Sequence, residues 1–256
     1  YRIYYPKTMG DAVWSMYDYN RGCCDNICYS GVADIFRLPK FSLSFFRIQI
    51  AEGSMLPSGK MPYEVFIPAY RDEILSDTVM VYGNVDEVEL VLNGKTIRRQ
   101  TADKGPDSDY IPVPNGGNGK NLHFPPFTFY GVPKERGVLK AVGYHQGKKV
   151  AEYTVKTPGV PERLDITYFE SGKPATKNDL LIVYVRMLDK QGVLCPVNGI
   201  PVELSVQGGE IVGPTSYPLE AGVASFLVRT GEISKININA TGKGFSTRKS
   251  LKVGKE

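Results

Sequence analysis

The side chains best equipped for chemistry fall into a few clusters. Cys23, Cys24 and Cys28 lie in one short stretch, and Cys195 stands alone. Clustered thiolates suggest a metal site, but zinc asks for about four ligands at recognisable intervals. A CC-x3-C run with no nearby histidine fits poorly, because the two histidines, His123 and His145, are distant in sequence. No metal or other cofactor is expected. A disulfide from Cys23 or Cys24 to Cys28 stays open, and with it the redox compartment. Glu64, Asp72, Glu73 and Asp77 could pair as acid and base, yet the run reads as an acidic surface. Lys and Arg total 31 against 27 Asp and Glu, a net charge of +4. Apart from Arg98-Arg99, Lys148-Lys149 and Arg248-Lys249 these cations are scattered, so no nucleic-acid partner is expected.

The elements that must carry these residues are mostly strands. The chain has 256 residues, too few for a whole (β/α)8 barrel of about 250 residues with anything added. No stretch approaches the roughly 18 apolar residues of a membrane span. The start, Tyr-Arg-Ile-Tyr-Tyr, lacks the pattern of a signal peptide, and the missing initiator Met is expected of a processed chain or a piece. Ala12 to Tyr17 reads as a short apolar strand buried on both faces, and Asp18 to Gly22 as a loop. Pro39 opens a segment with Phe41, Leu43, Phe45, Phe46, Ile48 and Ile50 that reads as a helix, with a strand as the alternative.

From about residue 60 the alternation is that of strands. Thr78–Tyr82 and Val88–Leu92 lead to Asn93-Gly94, a strong two-residue hairpin signal. Thr128–Tyr130, Val138–Tyr144 and Val150–Val155 complete the set, after a Gly/Pro/Asn-rich stretch from Asp103 to Pro126. A linker at 157–161 precedes a second run, with strands at Arg163–Phe169, Leu180–Leu188, Val202–Val206, Val223–Val228, Ile236–Ala240 and from Ser246. Turns are expected at 190–192, 208–209 and 220–222. Two such runs predict two immunoglobulin-like β-sandwiches, each burying one face of each sheet against the other.

The first fifty residues carry a resemblance. Gly10 to Tyr19 with Trp14 and Asp18-Tyr19, then Gly31-Val32 and Arg37-Leu38-Pro39-Lys40, resemble the end of the catalytic barrel of glycoside hydrolase family 2. Asp86 to Lys95, Pro125-Pro126-Phe127, Gly137 to Tyr144 and Thr157-Pro158-Gly159 resemble a sandwich that follows the barrel in β-galactosidase-like members. The last hundred residues resemble an Ig-like or invasin-like domain found at the end of such enzymes. The resemblance implies a C-terminal portion. It comprises a barrel remnant (last strand and helix) at 1–54, a first sandwich at 55–158 and a second at 159–256.

Retaining glycosidases need two carboxyl groups about 5–5.5 Å apart. In the family both project from earlier barrel strands, so the resemblance implies no catalytic residue here and no activity from this chain alone. Asp18 and Asp34 match neither catalytic glutamate, and Asp34 is expected to orient a loop or cap a turn. Trp14 matches the family's active-site wall, where an aromatic face stacks on a sugar. The loop at Asp25-Asn26-Ile27-Cys28 lacks the Asn-x-Lys of β-glucuronidases. Tyr110, Phe124, Phe127 and Phe129 could form a second sugar platform, although the alternating Phe127 and Phe129 read as core. Phe41, Phe45 and Phe46 are expected to dock on the first sandwich, with self-association through the barrel remnant second. The partner implied is carbohydrate in the full-length enzyme, and the compartment a bacterial periplasm or exterior. Two rival readings are a carbohydrate-binding module and an adhesin-like protein of stacked Ig-like domains.

Overall fold

A computed structural model of the chain describes residues 14–22, 27–50, 62–69, 76–103, 122–169 and 174–254, together with two short strands between 55 and 60. The chain divides into two compact units, Tyr1–Thr157 and Pro158–Glu256.

In the first unit, β1 (Tyr19–Asn20) pairs antiparallel with β2 (Ile27–Cys28). The helix α1 (Phe41–Ile48) follows, then the small pair β3 (Met55–Leu56) and β4 (Gly59–Lys60). The remaining strands are β5 (Val65–Phe66), β6 (Val79–Gly83), β7 (Glu87–Leu92), β8 (Lys95–Thr101), β9 (Phe127–Phe129), β10 (Val138–His145) and β11 (Lys148–Lys156). They form one sheet in the order β11-β10-β7-β8 and another in the order β5-β6-β9. β7 shows the cause. Val88, Leu90 and Leu92 point inward and alternate with half-buried neighbours, and Asn93 and Gly94 turn the chain with φ of 50° and 81°. Left-handed backbone at both central residues matches strand twist, which is why Asn-Gly is favoured there. Both sheets contribute to one core, with Val79, Val81, Phe127 and Phe129 meeting Val88, Leu90, Leu139 and Ala141. Phe127 and Phe129 are fully buried and thus core rather than platform. Burial of each stabilises by about 1.5–3 kcal/mol.

Helix α1 docks on this core by one face. Phe45 meets Tyr82 of β6 edge-on at 5.3 Å, and Ile48, one turn on, is 1% exposed. Arg47 reaches Glu64 at 2.5 Å. Leu43 and Phe46, on the other side, stay about 40% exposed.

The expected buried strand at 12–17 is corrected over its described part. Residues 14–17 form no strand, and Trp14 and Met16 are largely exposed. The physical reason is that, among the described residues, this segment has a partner on one side only. Tyr17 bridges Ala33 in parallel, and that one pairing covers only one edge.

In the second unit, β12 (Pro161–Tyr168), β13 (Leu180–Asp189), β17 (Val223–Thr230) and β15 (Gly209–Val212) form one sheet in that order. β16 (Ser216–Pro218), β14 (Pro201–Gln207), β18 (Lys235–Gly242) and β19 (Phe245–Lys252) form the other. Val183, Val185, Met187, Phe226 and Val228 from the first meet Val202, Leu204, Ile236 and Ile238 from the second. The turn expected at Gly208-Gly209 is instead a corner. The chain bends at Gly208, φ 86°, and passes straight from β14 in one sheet to β15 in the other. β15 and β16 were both outside the sequence expectation.

Candidate functional site

Residues 14–22 and 27–40 form a short strap built on backbone pairing. Segment 15–18 lies beside segment 30–33, with Val32 N–H donating to the Ser15 carbonyl at 3.1 Å and Ala33 N–H to Met16 at 3.0 Å. Asp18 N–H returns a bond to Ala33 at 3.0 Å. Gly31 permits this approach, because a Cβ there would collide with backbone atoms of Asp18 and Tyr17. β1 and β2 flank the two segments and pair with each other, Tyr19 opposite Cys28.

One carboxylate ties the strap together. Asp18 is 6% exposed, and its Oδ1 accepts from Lys40 Nζ at 2.6 Å and from Gly31 N–H at 2.9 Å. Lys40 also donates to the Tyr29 carbonyl at 3.1 Å. Such a charge out of water is tolerable only with a close counter-ion and further hydrogen bonds, and both are present. Asp34 caps the following turn, where its Oδ1 accepts from Leu38 N–H at 2.8 Å. Lys40 N–H then bonds Val32 at 3.0 Å and delivers the chain into α1.

Trp14 sits at the outer end of this strap, 75% exposed. Its Nε1–H donates to the Tyr19 hydroxyl at 2.7 Å, and the two rings meet edge-on, 6.1 Å apart at 77°. The Trp14–Ser15 peptide is cis. Tyr29 is also well exposed. The Cys28 thiol is held below its usual range, first by the Ser30 hydroxyl 3.5 Å away. Cys28 and Cys195 are free thiols, and burial raises Cys195.

The other candidates disperse. Glu64 is taken by Arg47, and Asp77 lies 3.7 Å from Lys134. Asp72, Glu73, Cys23, Cys24 and Tyr110 lie outside the described residues. Phe124 is half-buried, with its backbone bonded to Gln49. Among the described residues, no group of three His, Cys, Asp or Glu side chains could hold a metal ion. No described helix is long and apolar enough to cross a membrane. Among the described residues of the strap, Trp14 and Tyr29 present well exposed aromatic side chains.

Sequence reasoning did not find Lys40 as the partner of Asp18. One signal was available: a lysine at the start of a helix opposes the helix dipole, so its charge must be answered elsewhere.

Comparison with known proteins gives the context. A family model described as a domain of unknown function (DUF4982) matches residues 76–151. A β-galactosidase of Thermoanaerobacter pseudethanolicus is 32% identical over 241 residues, 88% of this chain and 30% of that protein. A β-galactosidase of Rhizobium radiobacter is 30% identical over 129 residues, half of this chain and 92% of that sequence. A solved glycosyl hydrolase family 2 member from Bacteroides cellulosilyticus has the same fold, with a TM-score of 0.66 at 21% identity, over 93% of this chain and 33% of that one. The chain thus spans less than a third of the Thermoanaerobacter relative's length. The Thermoanaerobacter and Bacteroides matches each extend over most of the chain, and with the Rhizobium match they mean that the chain belongs to glycoside hydrolase family 2, as a C-terminal portion of a family member.

Proposed function

We propose that the chain is the non-catalytic C-terminal part of a β-galactosidase-like hydrolase, which cleaves O-glycosidic bonds in the full-length enzyme. In this reading residues 1–54 are the C-terminal remnant of the (β/α)8 barrel, with α1 as its last helix, and the two β units are Ig-like sandwiches that brace it. Trp14 faces the sugar, and the catalytic carboxylates belong to sequence outside these residues. The observation that carries this reading is an exposed aromatic ring on an ordered mount. Trp14 is 75% exposed, yet its N–H is tied to Tyr19 and its backbone leads into the Asp18–Lys40 lock. Tryptophan is enriched at binding interfaces, where its ring is apolar and its N–H polar. Pre-setting its geometry lowers the ordering cost of binding.

The test is enzymatic. The purified chain mixed with a chromogenic galactoside should give no turnover. Hydrolysis that disappears when Asp18 or another carboxylate of this chain is replaced would overturn the non-catalytic reading. In the full-length enzyme, Trp14→Ala should raise KM for the galactoside.

A further inference from the structure

The N–H edge of the Trp14 indole is already used. Tryptophan has one donor and no acceptor, and that donor points at the Tyr19 hydroxyl at 2.7 Å. The rings meet at 77°, so Tyr19 touches the indole's rim. With Trp14 75% exposed, the surface left to a ligand is the ring face. Tyr19 in turn is fixed by the β1–β2 hairpin, where it stands opposite Cys28. Trp14 thus bonds Tyr19, and Tyr19 stands opposite Cys28, whose thiol meets the Ser30 hydroxyl at 3.5 Å.

We infer that Tyr19 is a positioning residue for sugar binding, acting through Trp14. The inference rests on the proposal that Trp14 faces the sugar, and it adds how the ring is aimed and what it can recognise. An exposed tryptophan free of this bond rotates about two side-chain torsions, so only a fraction of its conformers presents a face to the sugar. Holding the N–H on Tyr19 selects the rotamer and removes the donor from sugar recognition. The ligand surface that fits is then the C–H face of a pyranose, stacked on the ring. A ligand group that needs an indole N–H donor does not fit.

Two measurements on the same variant test this. Trp14 is the one tryptophan of the 256 residues, so the fluorescence of the purified chain reports on it directly. Tyr19→Phe keeps the ring contact and deletes the acceptor. It should raise acrylamide quenching of Trp14 about 2-fold and lower the anisotropy, while Tyr217→Phe in the second unit changes neither. In the full-length enzyme with a chromogenic galactoside, Tyr19→Phe should raise KM by about 3–10-fold, the effect of one lost hydrogen bond, with kcat within about 2-fold. A purely structural role for Tyr19 would lower the amount of folded enzyme and leave KM alone. Trp14→Ala separates the two ideas. If it raises KM while Tyr19→Phe leaves quenching, anisotropy and KM unchanged, the inference about Tyr19 is overturned alone. If Trp14→Ala leaves KM unchanged, the sugar-facing reading falls and the inference falls with it.

Discussion

The side-chain amide of Gln49 makes two hydrogen bonds with the backbone of Phe124, 75 positions away. Its Nε2–H donates to the Phe124 carbonyl at 2.8 Å, and its Oε1 accepts from Phe124 N–H at 3.0 Å. Gln49 ends α1, so a side chain here does the work of a strand partner and ties the helix to the β unit. Gln49→Ala leaves a donor and an acceptor unmet in a half-buried place, which costs about 1–3 kcal/mol. The direct readout is hydrogen exchange at the Phe124 amide, which should speed up. Denaturant unfolding followed by circular dichroism should give the stability loss.

The Asp18–Lys40 pair predicts a larger loss. Lys40→Met removes the counter-ion and leaves a buried carboxylate with Gly31 N–H as its remaining bond of the two. Breaking one side of a fully buried pair costs about 3–5 kcal/mol, and the one-third exposure of the Lys40 side chain lowers this to about 2–3. Gly31→Ala should be comparably harmful, because its Cβ has only backbone to meet. Both variants should speed exchange at the Ala33 amide, and a double-mutant cycle with Asp18→Asn should show coupling. Additivity would mean that the pair is not a unit.

In the second unit Asp189 accepts backbone N–H bonds from Gly159, Gln191 and Val193, each at 2.8 Å. The Gly159 bond leads in holding its carboxyl below the ordinary 3.8. A lowered folded value means that the ionised form is favoured by folding. The stability is therefore present above about pH 4 and is lost as pH falls through the folded value. Asp189→Asn should abolish that acid-dependent step and destabilise the unit at pH 7. The check is the acid titration of the Gln191 and Val193 amides by NMR, which should follow Asp189 in the parent protein.

Asp103 predicts the opposite sign. It accepts from the Thr128 hydroxyl at 2.7 Å and from Thr128 N–H at 3.3 Å, but burial outweighs both and raises its carboxyl above 3.8. The folded state then binds the proton more tightly. This contribution is complete below about pH 4 and is lost as pH rises through the folded value. Asn can keep both contacts without a charge, donating to the hydroxyl and accepting from the amide. Asp103→Asn should therefore melt at or above the parent at pH 7, and a lower melting point there would refute the burial argument.

Much of this fold can be read from pattern because its causes are local. Asn93-Gly94 predicts its hairpin since two left-handed residues suit no other connection as well. Val88, Leu90 and Leu92 predict a half-buried strand by alternation alone. The misses share one cause, which is that burial depends on what lies alongside. Ala12 to Tyr17 is as apolar as a core strand, but among the described residues its segment pairs along one side only, and Trp14 and Met16 stay largely exposed. Gly208-Gly209 has the composition of a reversal, whereas the structure uses the left-handed Gly208 to redirect a strand. Of the strap, the motif marked Trp14 and the segment around it as a candidate. The Trp14–Tyr19 hydrogen bond and the Asp18–Lys40 pair were not legible, because both depend on side chains meeting across a turn.

The corner at Gly208 also bears on mechanics. One continuous backbone serves β14 in one leaf of the second unit and β15 in the other. A load that tries to peel the leaves apart is carried there by covalent bonds rather than by packing. The unit should resist prising at that end and open first where β12 and β19 meet.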